Sequence, residues 1–226
     1  MTKFEQHLQN LATLSKFGYE INEGQAGILL REIRGVFTFL CRNLGFDSQQ
    51  ITAIKQKIFD AGRRSPPWKA ASSRVPGRPQ DGSDGNRIKR WLLEVEHKFY
   101  ADEITATLVE VKYYLQLLSM NDAPPLPENT IQNCFNWLIE HEVGAGNYLD
   151  PIQLIPISFV AVMKNAGTIQ SGHIHPLDRG GRHEPRNAFL MLDRSNQLQG
   201  NLTVEELIEL MNQIVIRHAE KQILKP

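Results

Sequence analysis

Cysteine is nearly missing from this chain. The 226 residues hold two, Cys41 and Cys134, too few for a disulfide framework or a four-cysteine zinc site. Both fall in segments that read as apolar helix faces, where buried thiols are expected. Long apolar runs are missing as well: the stretch from Leu154 to Met163 is broken by Pro156 and Ser158 and falls short of the roughly 20 residues that cross a hydrocarbon layer. No apolar leader follows Met1, so a cytoplasmic protein without membrane contact is the expectation. An excess of one charge is also lacking. Lys plus Arg equals Asp plus Glu at 25 each, which excludes a global cationic field that gathers nucleic acid non-specifically. Any nucleic-acid surface has to be local. There is no internal repeat, so a solenoid or propeller is excluded.

What is present is helical periodicity over most of the chain, with enough apolar content, 41%, to bury a core. Apolar residues recur at three and four from Phe4 to about Lys16 and from Gln25 to Leu44. Ser48 is expected to cap a third helix, which ends at Ala61-Gly62. Helical spacing returns from Arg87 to Phe99, from Asp102 to Leu118 and from Asn129 to Glu142; Asp150 to Lys164 is apolar with its type left open. Two stretches interrupt. Arg63 to Asn86, with Pro66, Pro67, Pro76 and Pro79, reads as a loop or disordered arm, and Ala123-Pro-Pro-Leu-Pro127 as a linker.

Beyond Gly167 the period changes. Thr168 to Leu177 and Ala188 to Leu192 have strand character, with Arg179-Gly180-Gly181-Arg182 as the bend between them. Asp193 is suited to cap a short helix through Gln199. Thr203 and Glu206 make a capping box for a last amphipathic helix bearing Leu207, Leu210, Met211, Ile214 and Val215. The expected fold is therefore mainly α with a small strand–strand–helix unit near the C-terminus, α+β overall. Residues 1–125 are expected to form a helical recognition and dimerisation region with a basic Pro/Gly-rich arm at 63–90, and residues 126–226 a helical platform carrying that unit.

Phosphodiester hydrolysis needs a base for water and a cation on the phosphate oxygens, both held within about 3 Å of the phosphate. His173 on the first strand supplies an imidazole, and Asn196 on the short helix an amide oxygen suited to a hard cation. Here Gly172-His173-Ile174-His175-Pro176-Leu177-Asp178-Arg179-Gly180-Gly181 resembles the opening of the HNH (ββα-metal) endonuclease motif. Asn187 stands at its middle Asn, and Asn196-Gln197-Leu198-Gln199-Gly200-Asn201 is similar to its closing segment. The match covers about residues 167–214 and looks most like the HNH members among type II restriction enzymes.

The resemblance implies a ββα-metal finger in which His173 is the general base, Asn187 braces the loop and Asn196 ligates Mg²⁺ or Mn²⁺. It departs from the family in two places. Many HNH proteins carry an Asp or His as a second ligand just before the base, where this chain has Gly172. His175 is the other candidate ligand, since residues two apart on a strand share a face. The cysteine pairs that hold a structural zinc in some members are replaced by Leu192 and Ser195, so no structural zinc is expected, and contact from Leu190, Met191 and Leu192 to the last helix is expected in its place.

For Arg182 and His183 on the bend, phosphate contact and a solvated loop are equally open; Asp178 reads as a turn former. The one basic concentration runs from Lys55 to Arg90, where Arg74, Arg78 and Arg87 are candidates, with Arg179 and Arg182, for DNA contact. The function expected is that of a sequence-specific, metal-dependent DNA endonuclease acting on double-stranded DNA as a homodimer. The alternatives are a nicking, phage-related or modification-dependent HNH nuclease, and a DNA-binding protein with a relic HNH unit.

Overall fold

The computed structural model describes residues 1–65, 87–126 and 131–223. Four helices open the chain or cross its centre: α1 (Lys3–Leu14), α2 (Glu23–Asn43), α3 (Ser48–Arg63) and α4 (Glu103–Leu117). The first three each begin in a reciprocal capping box, Thr2 with Glu5, Asn22 with Gln25 and Asp47 with Gln50, which satisfies backbone N–H groups that a helix start leaves open. The cap of α3 is thus Asp47, and the expected cap, Ser48, is its first helical residue. An aspartate one residue earlier competes better because Gln50 returns a hydrogen bond to its backbone.

Helix α4 is buried on every side from Ala106 to Leu117, as a helix without a polar face must be. Several of its buried polar residues are paired. Glu110 binds Arg34, Lys112 donates to the Pro185 carbonyl, and Gln116 accepts from the Leu190 N–H. Around α4 one hydrophobic cluster runs from Leu8 to Leu190, on both sides of the proline run at 123–127. Cys41 lies inside it, and Cys134 packs partly buried against it.

Two helical expectations fail. Between Arg87 and Phe99 only one short 3-10 turn forms, Arg90–Leu92, and Leu92 and Val95 are 67% and 65% exposed, so their apolar spacing drives no burial. Trp91 is instead covered by the cations of Arg63 and Lys89. From Ile131 onward, Ile131, Phe135, Leu138 and Ile139 do reach the core, but from successive turns such as Cys134 N–H to Ile131 carbonyl. The apolar stretch at 150–164 ends as α5 (Phe159–Lys164).

The C-terminal part is a hairpin and two helices. Strand β1 (Ile169–His173) pairs antiparallel with β2 (Ala188–Leu192), with Ile169 opposite Leu192 and His173 opposite Ala188. β1 stops at His173, short of the expected Leu177, because the chain turns at Pro176 into a 3-10 segment, Leu177–Arg179. Gly180 then adopts a left-handed φ of 90°, and a Cβ on Gly181 would run into the His175 carbonyl. That pair of demands explains the two glycines. Helix α6 (Asp193–Gln199) follows with Asp193 as its first residue rather than its cap, and α7 (Val204–Ile223) starts on the Thr203/Glu206 box.

The expected packing of β2 on α7 is not a major contact. Leu190 turns into the core while Met191, buried on the other face of the strand, lies against Gly172; α7 meets the body chiefly through α6 and buries Leu207, and Ile208, Leu210, Met211, Ile214, Val215 and Ile216 remain 42–66% exposed. A buried carboxylate does the tying instead. Asp150, fully buried, accepts from the Leu192 N–H at 2.8 Å and the Ser195 hydroxyl at 2.8 Å. Those are the two positions that the motif resemblance sets against the cysteines of zinc-binding members. Among the described residues no helix is long and apolar enough to cross a membrane.

Candidate active site

The hairpin is bolted to the helical body by polar side chains from α3 and α4. Lys57 donates to the Gln170 side chain at 3.0 Å, and the Tyr113 hydroxyl to Ser171 at 3.2 Å. Gln199 of α6 donates to the His173 carbonyl at 2.8 Å and the Ile174 carbonyl at 3.2 Å, so the helix end is fastened to the strand end. The residues singled out by sequence are placed by these ties.

Asn187 makes a two-way clasp across the loop. Its side-chain oxygen accepts from the His175 N–H at 2.8 Å, while its amide donates to the carbonyls of His175 (2.9 Å) and Arg182 (2.8 Å). All three bonds join residues within the turn between β1 and β2. Its side chain is spent on them.

His173, at the end of β1, keeps part of its ring at the surface while protein fills most of its surroundings. Its Nε2 lies 2.9 Å from Nδ1 of His183, and Nε2 of His183 lies 2.7 Å from the Gly62 carbonyl at the end of α3. Sequence reading left His183 on a surface bend; the structure buries it, 1% exposed. No local pattern marks such a residue, because the partner that holds it is 121 residues away. Burial, followed by the charge of Arg90, pushes the His173 ring down to about 3. The same causes, with His173 itself, hold His183 well below the ordinary histidine value. Arg90 is buried too, donating to the carbonyls of Phe99 and Ala61, with burial pushing its guanidinium down to about 10. Both imidazoles are neutral around pH 7.

Asn196, partly exposed on α6, aims its side-chain oxygen at β1: a Cβ built on Gly172 would come within 3.3 Å of it. That same Cβ would run into the Met191 thioether, so the methionine fills the space that a side chain at 172 would occupy. Among the described residues the Asn196 side chain has no hydrogen-bond partner. His175 is exposed and uses its Nε2 on the Arg179 carbonyl at 2.9 Å, leaving Nδ1. Among the described residues no three His, Cys, Asp or Glu gather as a metal cluster. An oxygen site here would rest on the Asn196 amide.

The proposed DNA-contacting arginines separate. Arg74 and Arg78 lie outside the described residues. Arg87 faces Asp60 at 3.7 Å, and Arg179 is paired with Glu206. Arg182 is exposed and has no ion pair among the described residues. Much of the remaining basic run is also occupied inside the chain: Arg63 by Glu103, Arg64 by Asp60 and the Arg87 carbonyl, and Lys57 by Gln170.

No protein-family model matches the chain, and no curated protein is significantly similar to it. Among solved structures, one described as the crystal structure of a type II restriction endonuclease is similar to it with a TM-score of 0.52 and 16% sequence identity, over 82% of this chain and 84% of that one. At that identity the likeness is one of fold.

Proposed function

We propose that this chain is a divalent-metal-dependent DNA endonuclease of the HNH (ββα-metal) type, a restriction-type enzyme that hydrolyses both strands of specific duplex DNA. The observation that supports the reading is the arrangement of the motif residues about β1. A neutral His173 ends β1, Asn187 clasps the loop that follows, and the unpartnered Asn196 oxygen comes up beside the same strand. The fold likeness to a solved type II restriction endonuclease supports it.

In this reading His173 takes the proton from the attacking water. Its low proton affinity keeps it free to accept, and the phosphate of a bound duplex, opposing the charge of Arg90, raises that affinity where the reaction needs it. The free amide oxygen of Asn196 fits a hard cation such as Mg²⁺ completed by water, with His175 Nδ1 as a second donor. Such an ion, when bound, supplies positive charge to the phosphate oxygens. Arg182 is free to meet phosphate, whereas Arg179 and Arg87 must first leave Glu206 and Asp60. Arg74 and Arg78 stay in the proposal on their sequence alone.

Incubation with a large natural DNA is the direct test. With Mg²⁺ or Mn²⁺ discrete bands are expected; a chelator should abolish them while the circular dichroism spectrum stays unchanged, because the Asp150 hydrogen bonds that tie β2 to α6 are not open to a chelator. A smear, or cleavage that survives the chelator, would speak against the reading. Gly172 favours a second reading, a DNA-binding protein with a relic site, since Met191 sits where the second ligand of many relatives would begin. That protein binds duplex and leaves it intact with every metal.

Cutting both strands with one site per chain calls for two chains, and a two-fold dimer suits a palindromic target. The exposed apolar face of α7 is the surface we assign to the second copy. Most of a helix's stability in a protein comes from packing its apolar face. Three of the four acids of α7, Glu205, Glu206 and Glu209, gather at one end, and Arg217 and Lys221 outnumber the fourth, Glu220, at the other, so an antiparallel pair sets opposite net charges side by side. Sedimentation of the parent protein should give twice the 25.7 kDa of one chain, and Met211→Glu with Ile214→Glu the single mass with unchanged helix content. A dimer that survives both substitutions places the interface elsewhere.

A further inference from the structure

We infer that His183 is a positioning residue that fixes the tautomer of His173 and thereby selects Nδ1 as the nitrogen that receives the proton. The inference rests on the nuclease reading for its consequence, but the hydrogen-bond logic beneath it does not.

A backbone carbonyl can only accept, so His183 Nε2, 2.7 Å from the Gly62 oxygen, must carry a hydrogen and donate. A neutral imidazole has a single N–H, which leaves His183 Nδ1 with its lone pair exposed to His173. The 2.9 Å contact between the rings therefore has His173 Nε2 as donor and His183 Nδ1 as acceptor. With its hydrogen on Nε2, His173 holds its lone pair on Nδ1, and that atom makes no hydrogen bond among the described residues. Each tautomer is dictated by the one before it, starting from a carbonyl that cannot change role. Burial of His183 and the charge of Arg90 keep the second ring neutral, which the sequence of donors requires.

The carbonyl at the head of the chain is itself well fixed. It belongs to the last turn of α3, where carbonyls lack a partner within the helix. A Cβ on Gly62 would come 2.9 Å from the Glu110 Cα, so the glycine lets α3 lie close to α4. The helical body thus sets the protonation pattern of a residue on the hairpin. When His173 takes up a proton at Nδ1 it becomes a cation, and its Nε2–H to His183 strengthens as a charge-assisted bond. His183 accordingly favours the product of the proton transfer without touching DNA.

Two substitutions and one spectrum test this. His183→Phe keeps a ring in the cavity and removes the acceptor; His183→Asn offers a carbonyl oxygen near the position of Nδ1. Single-turnover cleavage by the Phe variant should fall at least 10-fold with duplex affinity unchanged, and the Asn variant should recover most of the loss. Nitrogen-15 spectra of the parent protein, which need no cleavage activity, should show His173 with a protonated Nε2 and a bare Nδ1. The Phe variant should show a mixture of tautomers. A parent spectrum with the hydrogen on Nδ1 of His173 overturns the inference whether or not the variants fold. Cleavage by the Phe variant at the parent rate does so too. A parent protein that has the expected tautomer and yet cuts nothing leaves the hydrogen-bond logic standing and removes the nuclease reading.

Discussion

Replacing His173 by alanine is expected to lower DNA cleavage on the order of 10²-fold or more, the usual cost of losing a general base, while duplex affinity stays close to that of the parent. The reasoning is geometric. His173 is fastened by its backbone to Gln199 and by its Nε2 to His183, so its side chain presents one free nitrogen and little surface for holding DNA. Its removal therefore acts on the chemical step. Asn196→Ala should lose cleavage too, but recover in part at high Mg²⁺, because a ligand that is lost can be offset by concentration whereas a base cannot. Asn187→Ala should behave differently from both. Three hydrogen bonds across the loop vanish with it, so a lowered melting temperature should accompany its loss of activity. A paired gel-shift and cleavage assay on the parent and the three variants separates the roles. Equal cleavage by the parent and His173→Ala removes His173 from the mechanism.

The residues of that comparison were legible in the sequence, and the reason is that the motif is local. Asn187 and its partners, His175 and Arg182, lie within one turn, and Gly180 and Gly181 announce that turn by backbone demands no other residue meets as well. Helices α1 to α4 were legible on the same ground, since periodicity and caps are short-range. The segments at 87–99 and 129–142 have helical spacing, yet 87–99 and the described part of the second form no α-helix, because spacing reports which residues are apolar, not whether a neighbour exists to cover them. Leu92 and Val95 find none, and Phe135 and Leu138 reach theirs without a helix. His183 and Asp150 stayed hidden for a different reason. Each is defined by contacts across 121 and 42 residues of chain, and nothing within a few positions of either residue signals those contacts.

The Asp150 carboxylate is the residue whose loss is expected to cost the fold most. Its Oδ1 accepts from the N–H groups of Ile152 and Gln153, at 2.9 and 2.8 Å, and from the Ser195 hydroxyl; its Oδ2 accepts from the Leu192 N–H. Gln153 then donates to the same Ser195 hydroxyl at 2.7 Å, closing a network around the junction of β2 and α6. Every one of these donors loses its partner in Asp150→Ala, and the Leu192 and Ser195 groups are set in a packed region where water cannot replace it. A buried donor left unpaired costs about 1–3 kcal/mol. Relaxation recovers part of the sum, so a net destabilisation of about 3–4 kcal/mol is expected. For a chain of this size that corresponds to roughly 6–16 °C in melting temperature. Asp150→Asn tests the cause, since one oxygen survives to accept while the amide brings donors the site does not want. Its loss should lie between that of alanine and the parent. Ser195→Ala removes a single bond of the network and should cost least of the three. Calorimetry on the parent and these variants reads the order directly. Should Asp150→Ala melt with the parent, the junction is held by packing of Leu190 and Met191 alone, and the carboxylate is not what stands in the place of a metal.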